Sequence, residues 1–221
     1  MARTQTVSDD EIFTAARNVI ARRGAHGFTL TDVAAEVGLS RAAVILRFKS
    51  TQALKVQLMI RMADAFIGLL DQLPTTPGGD SLLQVAAFIG RHLGDRKSVP
   101  SFFSNYAANM QEPELAEIEK RRGAALRDAI LRVMPKTRID REEAASAFSA
   151  HLTGTIMNFV AVEETDSVDF LVRRTKNWLL LAGIPFSAEF TGHTPAKIKP
   201  GKAQTVAVKQ KSKPRVRRSS K

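Results

Sequence analysis

Thr29-Leu30-Thr31-Asp32-Val33-Ala34-Ala35-Glu36-Val37-Gly38-Leu39-Ser40-Arg41-Ala42-Ala43-Val44-Ile45-Leu46-Arg47-Phe48 reads as two short helices joined by a tight turn. Thr29 with Asp32 opens the first by side-chain capping, Gly38 ends it after barely two turns, and Ser40 caps the second. Two short helices around a glycine-containing turn have the helix-turn-helix layout. Val33, Ala34, Val37, Leu39, Val44 and Phe48 predict a compact core, with Ala34 small where the helices approach. Val44 and Phe48, four residues apart, face inward, which turns Arg41, Ala42, Ile45 and Arg47 towards solvent or a groove.

Working outward, helix signals are dense and no convincing strand appears. Ser8-Asp9-Asp10-Glu11 has the spacing of a capping box, in which the serine hydroxyl and the glutamate satisfy each other's backbone N–H groups. Ile12, Ala16, Val19 and Ile20 follow at helical spacing, and Arg22, Arg23 and Gly24 close the segment. A longer helix is predicted from about Ser50 to Leu73, with Leu54, Leu58, Met62, Phe66 and Leu70 repeating every four residues. Pro74 to Gly79 is a breaker. Further helices are predicted at about 81–95, 100–110, 113–134, 141–163 and 167–182. Pro100 and Pro113 suit a first helical turn, Asp140 and Asp166 suit caps, and Gly183 with Pro185 stops the last helix. The fold class is all-α, divided as a helix-turn-helix DNA-binding domain at 8–60, a helical domain at 61–190, to which only a family resemblance, on residues quoted below, assigns ligand binding and dimerisation, and a basic disordered tail at 191–221.

The net charge of +11 is uneven along the 221 residues. Gly192 to Lys221 holds ten Lys and Arg and no acidic residue, so the remainder has 23 basic residues against 22 acidic, a net of +1. The basicity belongs to the tail, which lacks aromatic residues and cannot bury enough apolar area to offset the entropy of ordering it. The chain has no cysteine, which excludes disulfides, thiolate catalysis and Cys-ligated zinc and fits a reducing cytoplasm. No apolar run reaches the ~18 residues that span a bilayer, and Met1 to Asp10 lacks the apolar segment of a signal peptide. The scattered His26, His92, His151 and His193 have no metal-ligand spacing. No phosphate-cradling loop or Ser/His/Asp arrangement suggests an enzyme, and no cofactor is implied.

Ile12-Phe13-Thr14-Ala15-Ala16, Arg23-Gly24, Phe28 to Ala34, Val37-Gly38-Leu39-Ser40, Arg47-Phe48-Lys49-Ser50 and Ala53-Leu54 together resemble the tetracycline-repressor (TetR) family. The resemblance covers roughly residues 8–60; beyond it only the helical layout agrees. It implies a homodimer that reads a palindromic operator in double-stranded DNA in the bacterial cytoplasm, associated with the nucleoid, and that a small apolar ligand releases. Position by position, it implies major-groove or adjacent contacts from Ser40, Arg41, Ala42, Ala43 and Arg47, and backbone contacts from Thr29, Thr31, Lys49 and Thr51. The chain departs from the family at Ile45-Leu46, where an aromatic pair is usual, and at Thr51, where lysine is usual. Ile45 and Leu46 suit thymine methyl groups and cannot replace a tyrosine hydroxyl at a phosphate.

Several aromatic and polar residues in the later helices are candidates for a ligand pocket: Phe66, Phe88, Phe102, Phe103, Tyr106, Asn109, His151 and Thr155. Their aromatic members are first of all core. Lys120-Arg121-Arg122 reads as a solvated face. Two apolar stripes, Phe148, Leu152, Ile156, Phe159 and Val160 with Phe170, Leu171, Trp178, Leu179 and Leu181, predict a four-helix dimer interface built from the last two helices. The second reading is an architectural protein that holds DNA through its basic tail with little choice of sequence; a discrete footprint separates the two.

The tail predicts a measurable salt effect. Each phosphate neutralised steepens log K against log[salt] by ~0.9, so four engaged tail residues steepen it by ~3.6 relative to a chain ending near Gly192. Titrations of both chains on operator and random duplex check this; identical slopes would remove the tail from DNA binding.

Overall fold

A computed structural model describes residues 7–25, 27–93, 96–164 and 166–192. The basic tail beyond Gly192 lies outside the described residues, as do His26 and His193. Among the described residues there are nine helices and no strand: α1 (Asp9–Arg23), α2 (Leu30–Glu36), α3 (Arg41–Phe48), α4 (Thr51–Leu70), α5 (Gly79–Leu93), α6 (Ser98–Met110), α7 (Pro113–Val133), α8 (Arg141–Phe159) and α9 (Ser167–Ala182).

The helix starts follow side-chain chemistry. Ser8 and Glu11 form a full capping box, while Thr29, Ser40, Ser50, Asp140 and Asp166 each accept a backbone N–H in the following first turn. Several predicted ends shift by two to four residues: α4 stops at Leu70, α5 spans Gly79–Leu93 and α6 starts at Ser98, and the largest change is in α8. α8 stops at Phe159 rather than near 163, where the N–H of Ala161 donates to the Asn158 carbonyl at 3.0 Å. Glu163 and Glu164 follow directly, and negative charge disfavours extending the C-terminal end of a helix dipole.

Two large apolar cores result, with a third, small cluster of Ala63, Leu115 and Ile118 between α4 and α7. The smaller of the two large cores joins α1, α2, α3 and the first half of α4 through Ile12, Ala16, Val19, Leu30, Val33, Val44, Phe48, Leu54 and Leu58. The larger joins the end of α4 with α5, α7, α8 and α9 through residues such as Leu70, Leu82, Phe88, Ile130, Phe148, Phe159 and Leu171. Arg61 of α4 lies 4.3 Å from the centre of the Phe13 ring and 2.6 Å from Asp10, which holds α1 against α4. No helix among the described residues is long and apolar enough to cross a membrane.

α5 and α9 meet at Gly90. A Cβ there would lie 2.8 Å from Val168 Cα and 3.0 Å from its nitrogen, and the Ser167 hydroxyl donates to the Gly90 carbonyl at 2.9 Å. The obstacles are backbone atoms, which cannot swing aside. Gly90→Ala is therefore expected to destabilise the protein by about 1–3 kcal/mol, the usual cost of overpacking, measured as a lower urea midpoint with an unchanged m-value. A midpoint equal to wild type would show that the two helices are not held this close.

Candidate functional site

The connection from α2 to α3 is built backward from its glycine. Gly38 sits at φ +68°, and the Leu39 N–H donates to the Ala34 carbonyl at 2.9 Å. A Cβ is disfavoured at that angle, so glycine permits so short a turn. Val44 and Phe48 anchor α3 in the small core, and the Phe48 ring meets Phe13 of α1 edge-on at 5.3 Å. The opposite face is free. Ser40, Arg41, Ala42, Leu46 and Arg47 are exposed, Ala43 and Ile45 are half-buried, and Leu46 is 86% exposed. The side chains of Arg41 and Lys49 have no hydrogen bond or ion pair among the described residues. Arg47 is committed elsewhere: its guanidinium donates to the Val7 carbonyl at 2.5 Å and lies 3.5 Å from Asp9. The Phe13–Phe48 contact brings the end of α3 beside the start of α1 and so places Arg47 there.

The residues placed by sequence around α3 divide by what their hydroxyls already do. Thr29 caps α2, accepting from the Asp32 N–H at 3.2 Å and donating to its carboxylate at 2.6 Å. Ser40 caps α3 through the Ala43 N–H at 3.1 Å. Thr31 is exposed and Thr51 half-buried, each in the first turn of its helix. Lys49 has φ +68° and ψ −47°, and the Ser50 N–H donates to the Phe48 carbonyl at 2.8 Å. That is a γ-turn of the rare positive-φ kind, a strained conformation for a residue with a side chain.

A cavity of about 470 Å³ lies where the end of α1 meets α4, α6 and α7. Ile20, Met59, Met62, Phe102 and Tyr106 supply its apolar wall. Asn105 Oδ1 accepts the Ala25 N–H at 2.8 Å, so one wall of the cavity is bonded to the segment that follows α1. Glu119 is buried in the wall: Asn109 Nδ2 donates to one of its oxygens at 2.9 Å, and the Arg122 guanidinium lies 2.6 Å from the other, at angles that make an ion pair rather than a hydrogen bond. Arg122 is half-buried and also covers the Phe66 and Phe102 rings at 5.8 and 5.4 Å. The solvated face read from Lys120-Arg121-Arg122 thus holds for Lys120 and Arg121 and fails for Arg122.

Residues 12–58, which are α1 to the middle of α4, match the model of the family described as bacterial regulatory proteins, tetR family. The N-terminal domain is a tetR-family helix-turn-helix. The whole-chain fold agrees with solved structures at low identity. A transcriptional regulator from Rhodococcus sp. Rha1 shares 18% identity with a TM-score of 0.63, covering 80% of this chain and 98% of its own. A protein from Saccharomonospora viridis in complex with choline shares 18% at 0.64, covering 79% and 96%. FadR from Bacillus subtilis in complex with stearoyl-CoA shares 19% at 0.57, covering 79% and 98%. No curated protein matches the chain at the level of sequence.

Within this fold, the pocket residues expected from sequence separate. Phe102, Tyr106 and Asn109 line the cavity, whereas Phe66, Phe88, Phe103, His151 and Thr155 do not. Phe88 and Thr155 are buried, and Phe66 and Phe103 pack against the larger core. Arg17, Lys97 and Glu119 do line it and were missed. The signal for Glu119 was present: an acid four residues after Leu115 and beside Ile118, on the apolar stripe of α7.

His151 belongs to the α8–α9 seam, its ring stacked on Trp178 with centroids 5.7 Å apart. Burial pushes its imidazole below the usual 6.5. On acidification the unfolded chain therefore takes up this proton first, and His151 subtracts stability as pH falls below about 6.5. Trp178 is the chain's one tryptophan. Its emission should be quenched on acidification with a midpoint below 6.5, and His151→Gln should abolish that transition. An unchanged titration in the variant would show that the imidazole is not stacked on this indole.

Proposed function

We propose that the protein is a homodimeric, sequence-specific DNA-binding repressor that a small ligand with an apolar body, held in the junction cavity, releases from its operator. The observation carrying this reading is the outer face of α3. Leu46 stands 86% exposed there beside an unpaired Arg41, on a helix whose other face is locked into a tetR-family core. A large apolar side chain so fully exposed suits thymine methyl groups, and Arg41 suits guanine O6 and N7. Ser40, Ala42, Ala43 and Ile45 would lie along the same groove face, with Thr31, Lys49 and Thr51 toward the phosphates. Arg47 would have to leave Val7 to reach DNA, and Thr29 would have to release Asp32.

Dimerisation draws on the outside of α8 and α9. Most of the apolar stripe read from sequence is already used within the chain: Phe148, Leu152, Phe159, Phe170, Leu171 and Leu179 are buried. Met157, Val160, Leu180 and Leu181 remain exposed, Leu181 at 89%, and they supply the surface for a second copy. A two-fold dimer matches two operator half-sites. The Asn105–Ala25 hydrogen bond gives the cavity a mechanical route to α1, and through the Phe13–Phe48 contact to α3.

Footprinting of genomic DNA tests the reading: a discrete palindromic footprint is expected, whereas uniform coverage would favour the architectural alternative. Arg41→Ala should cost ~1–3 kcal/mol of discrimination between operator and random duplex; equal losses on both would assign Arg41 to the backbone. Leu181→Glu should weaken the dimer by about 100-fold, since burial of each leucine contributes ~1.5–3 kcal/mol. Sedimentation should then show monomers of unchanged helicity, and an unaffected dimer would move the interface elsewhere.

A further inference from the structure

The charges around the junction cavity are unevenly compensated. Inside, each charge is matched: Glu119 is paired with Arg122 at 2.6 Å, and the buried Lys55 with Glu112 at 2.9 Å. Two further cations line the same cavity, Arg17 from α1 and Lys97 from the residue before α6. Both are exposed, and neither side chain has a hydrogen bond or ion pair among the described residues. Behind this cationic mouth lies the apolar wall of Met59, Met62 and Phe102. The volume of about 470 Å³ falls within the usual range of small-molecule sites.

Resting on the reading above that the cavity holds the controlling ligand, we propose that this ligand is an amphipathic organic anion, its apolar body against Met59, Met62 and Phe102 and its carboxylate held by Arg17 and Lys97. A cationic amphiphile fits poorly. The one acid in the wall is already neutralised by Arg122, and the mouth repels a positive head group. The two anchors also belong to different parts of the fold. Arg17 rides on α1 of the DNA-reading core, whereas Lys97 precedes α6. One carboxylate bridging them ties the position of the first to the second, beside the existing Asn105–Ala25 bond. Ligand charge, rather than ligand shape alone, thereby acts on operator affinity.

Three probes of equal length separate the possibilities: octanoate, octan-1-ol and octylamine, titrated calorimetrically into the full-length protein. Octanoate should bind saturably and more tightly than octan-1-ol by about tenfold, the size of one charge-assisted hydrogen bond, with octylamine weakest. The exposed-site double variant Arg17→Ala, Lys97→Ala should lose that preference and keep its affinity for octan-1-ol. Octylamine binding as well as octanoate, no saturable octanoate binding, or a preference that survives the double variant would each overturn the proposal. Operator affinity measured with each probe tests the underlying reading separately. If octylamine alone releases DNA, ligand control stands and the anionic class fails. If octanoate binds with the predicted preference and operator affinity does not move, the anionic site stands and ligand control fails.

Discussion

One helix belongs to both cores. The first half of α4 buries Leu54 and Leu58 among α1, α2 and α3, and its last turn buries Leu70 with the larger body. Twenty residues at 1.5 Å each make a rod about 30 Å long, continuous in its hydrogen bonding and therefore stiff. The small core cannot reorient without moving that rod or bending it. The polar contacts across the junction include Lys55 and Gln52 to Glu112, Arg121 to Asp64, and Asn105 to Ala25. Beside them Ala63, Leu115 and Ile118 form a small apolar cluster with Val56 and Met59, so α4 is also tied to α7 between the two larger cores.

The cavity follows from the same arrangement. α1 ends at Arg23, and just past its cap at Gly24 the chain meets α6 through the Ala25–Asn105 hydrogen bond. α4 and α7 pack tightly further along, where Ala63, Leu115 and Ile118 form a small cluster of their own. Between that cluster and the end of α1 the space is bordered by the flexible Met59 and Met62, by Phe102 and Tyr106, and by polar groups from α6 and α7. Methionine adapts to whatever fills such a gap. The buried Glu119–Arg122 pair does not fill it either; with Asn109 on one oxygen and an imperfectly aligned guanidinium on the other, it is a pair whose loss of one partner would be costly.

Much of this was legible in the sequence because caps and turns are local. The hydroxyl or carboxylate at Ser8, Thr29, Ser40, Ser50, Asp140 and Asp166 acts on N–H groups two or three residues away, and Gly24, Gly38 and Gly183 take positive φ for reasons contained in their own turns. The tetR-family spacing was legible for the same reason. The cavity was not. A helical period says that Phe88, Phe103 and Phe148 point inward, but a core and a pocket have the same period. Which inward face meets empty space depends on α1, α4, α6 and α7, contributed by distant parts of the sequence. Arg17 lies about eighty residues from Lys97, and nothing local connects them. The apolar stripes of α8 and α9 misled in the opposite sense: their strongest residues close the chain's own core, and the surface left for a second copy consists of the stripe's margins, Val160 and Leu181, with Met157 and Leu180 beside them.

The corner between α3 and α4 shows how the rod and the DNA-reading face are held in one geometry. The turn is two residues long, and Lys49 occupies it at positive φ although it carries a side chain. Such a conformation costs of order 1–3 kcal/mol and persists only where its surroundings over-determine it. They do so here from both sides. Phe48 is fixed before it by burial against Phe13, and Ser50 is fixed after it by capping the Ala53 N–H at 3.0 Å. With a glycine the corner would gain freedom and the angle between α3 and α4 would be less sharply set. Lysine keeps the angle and leaves a cation at the point where α3 leaves the core. The strain at Lys49 is thus coupled to the same rod that carries the cavity: a shift of α4 that relaxes one must be transmitted to the other.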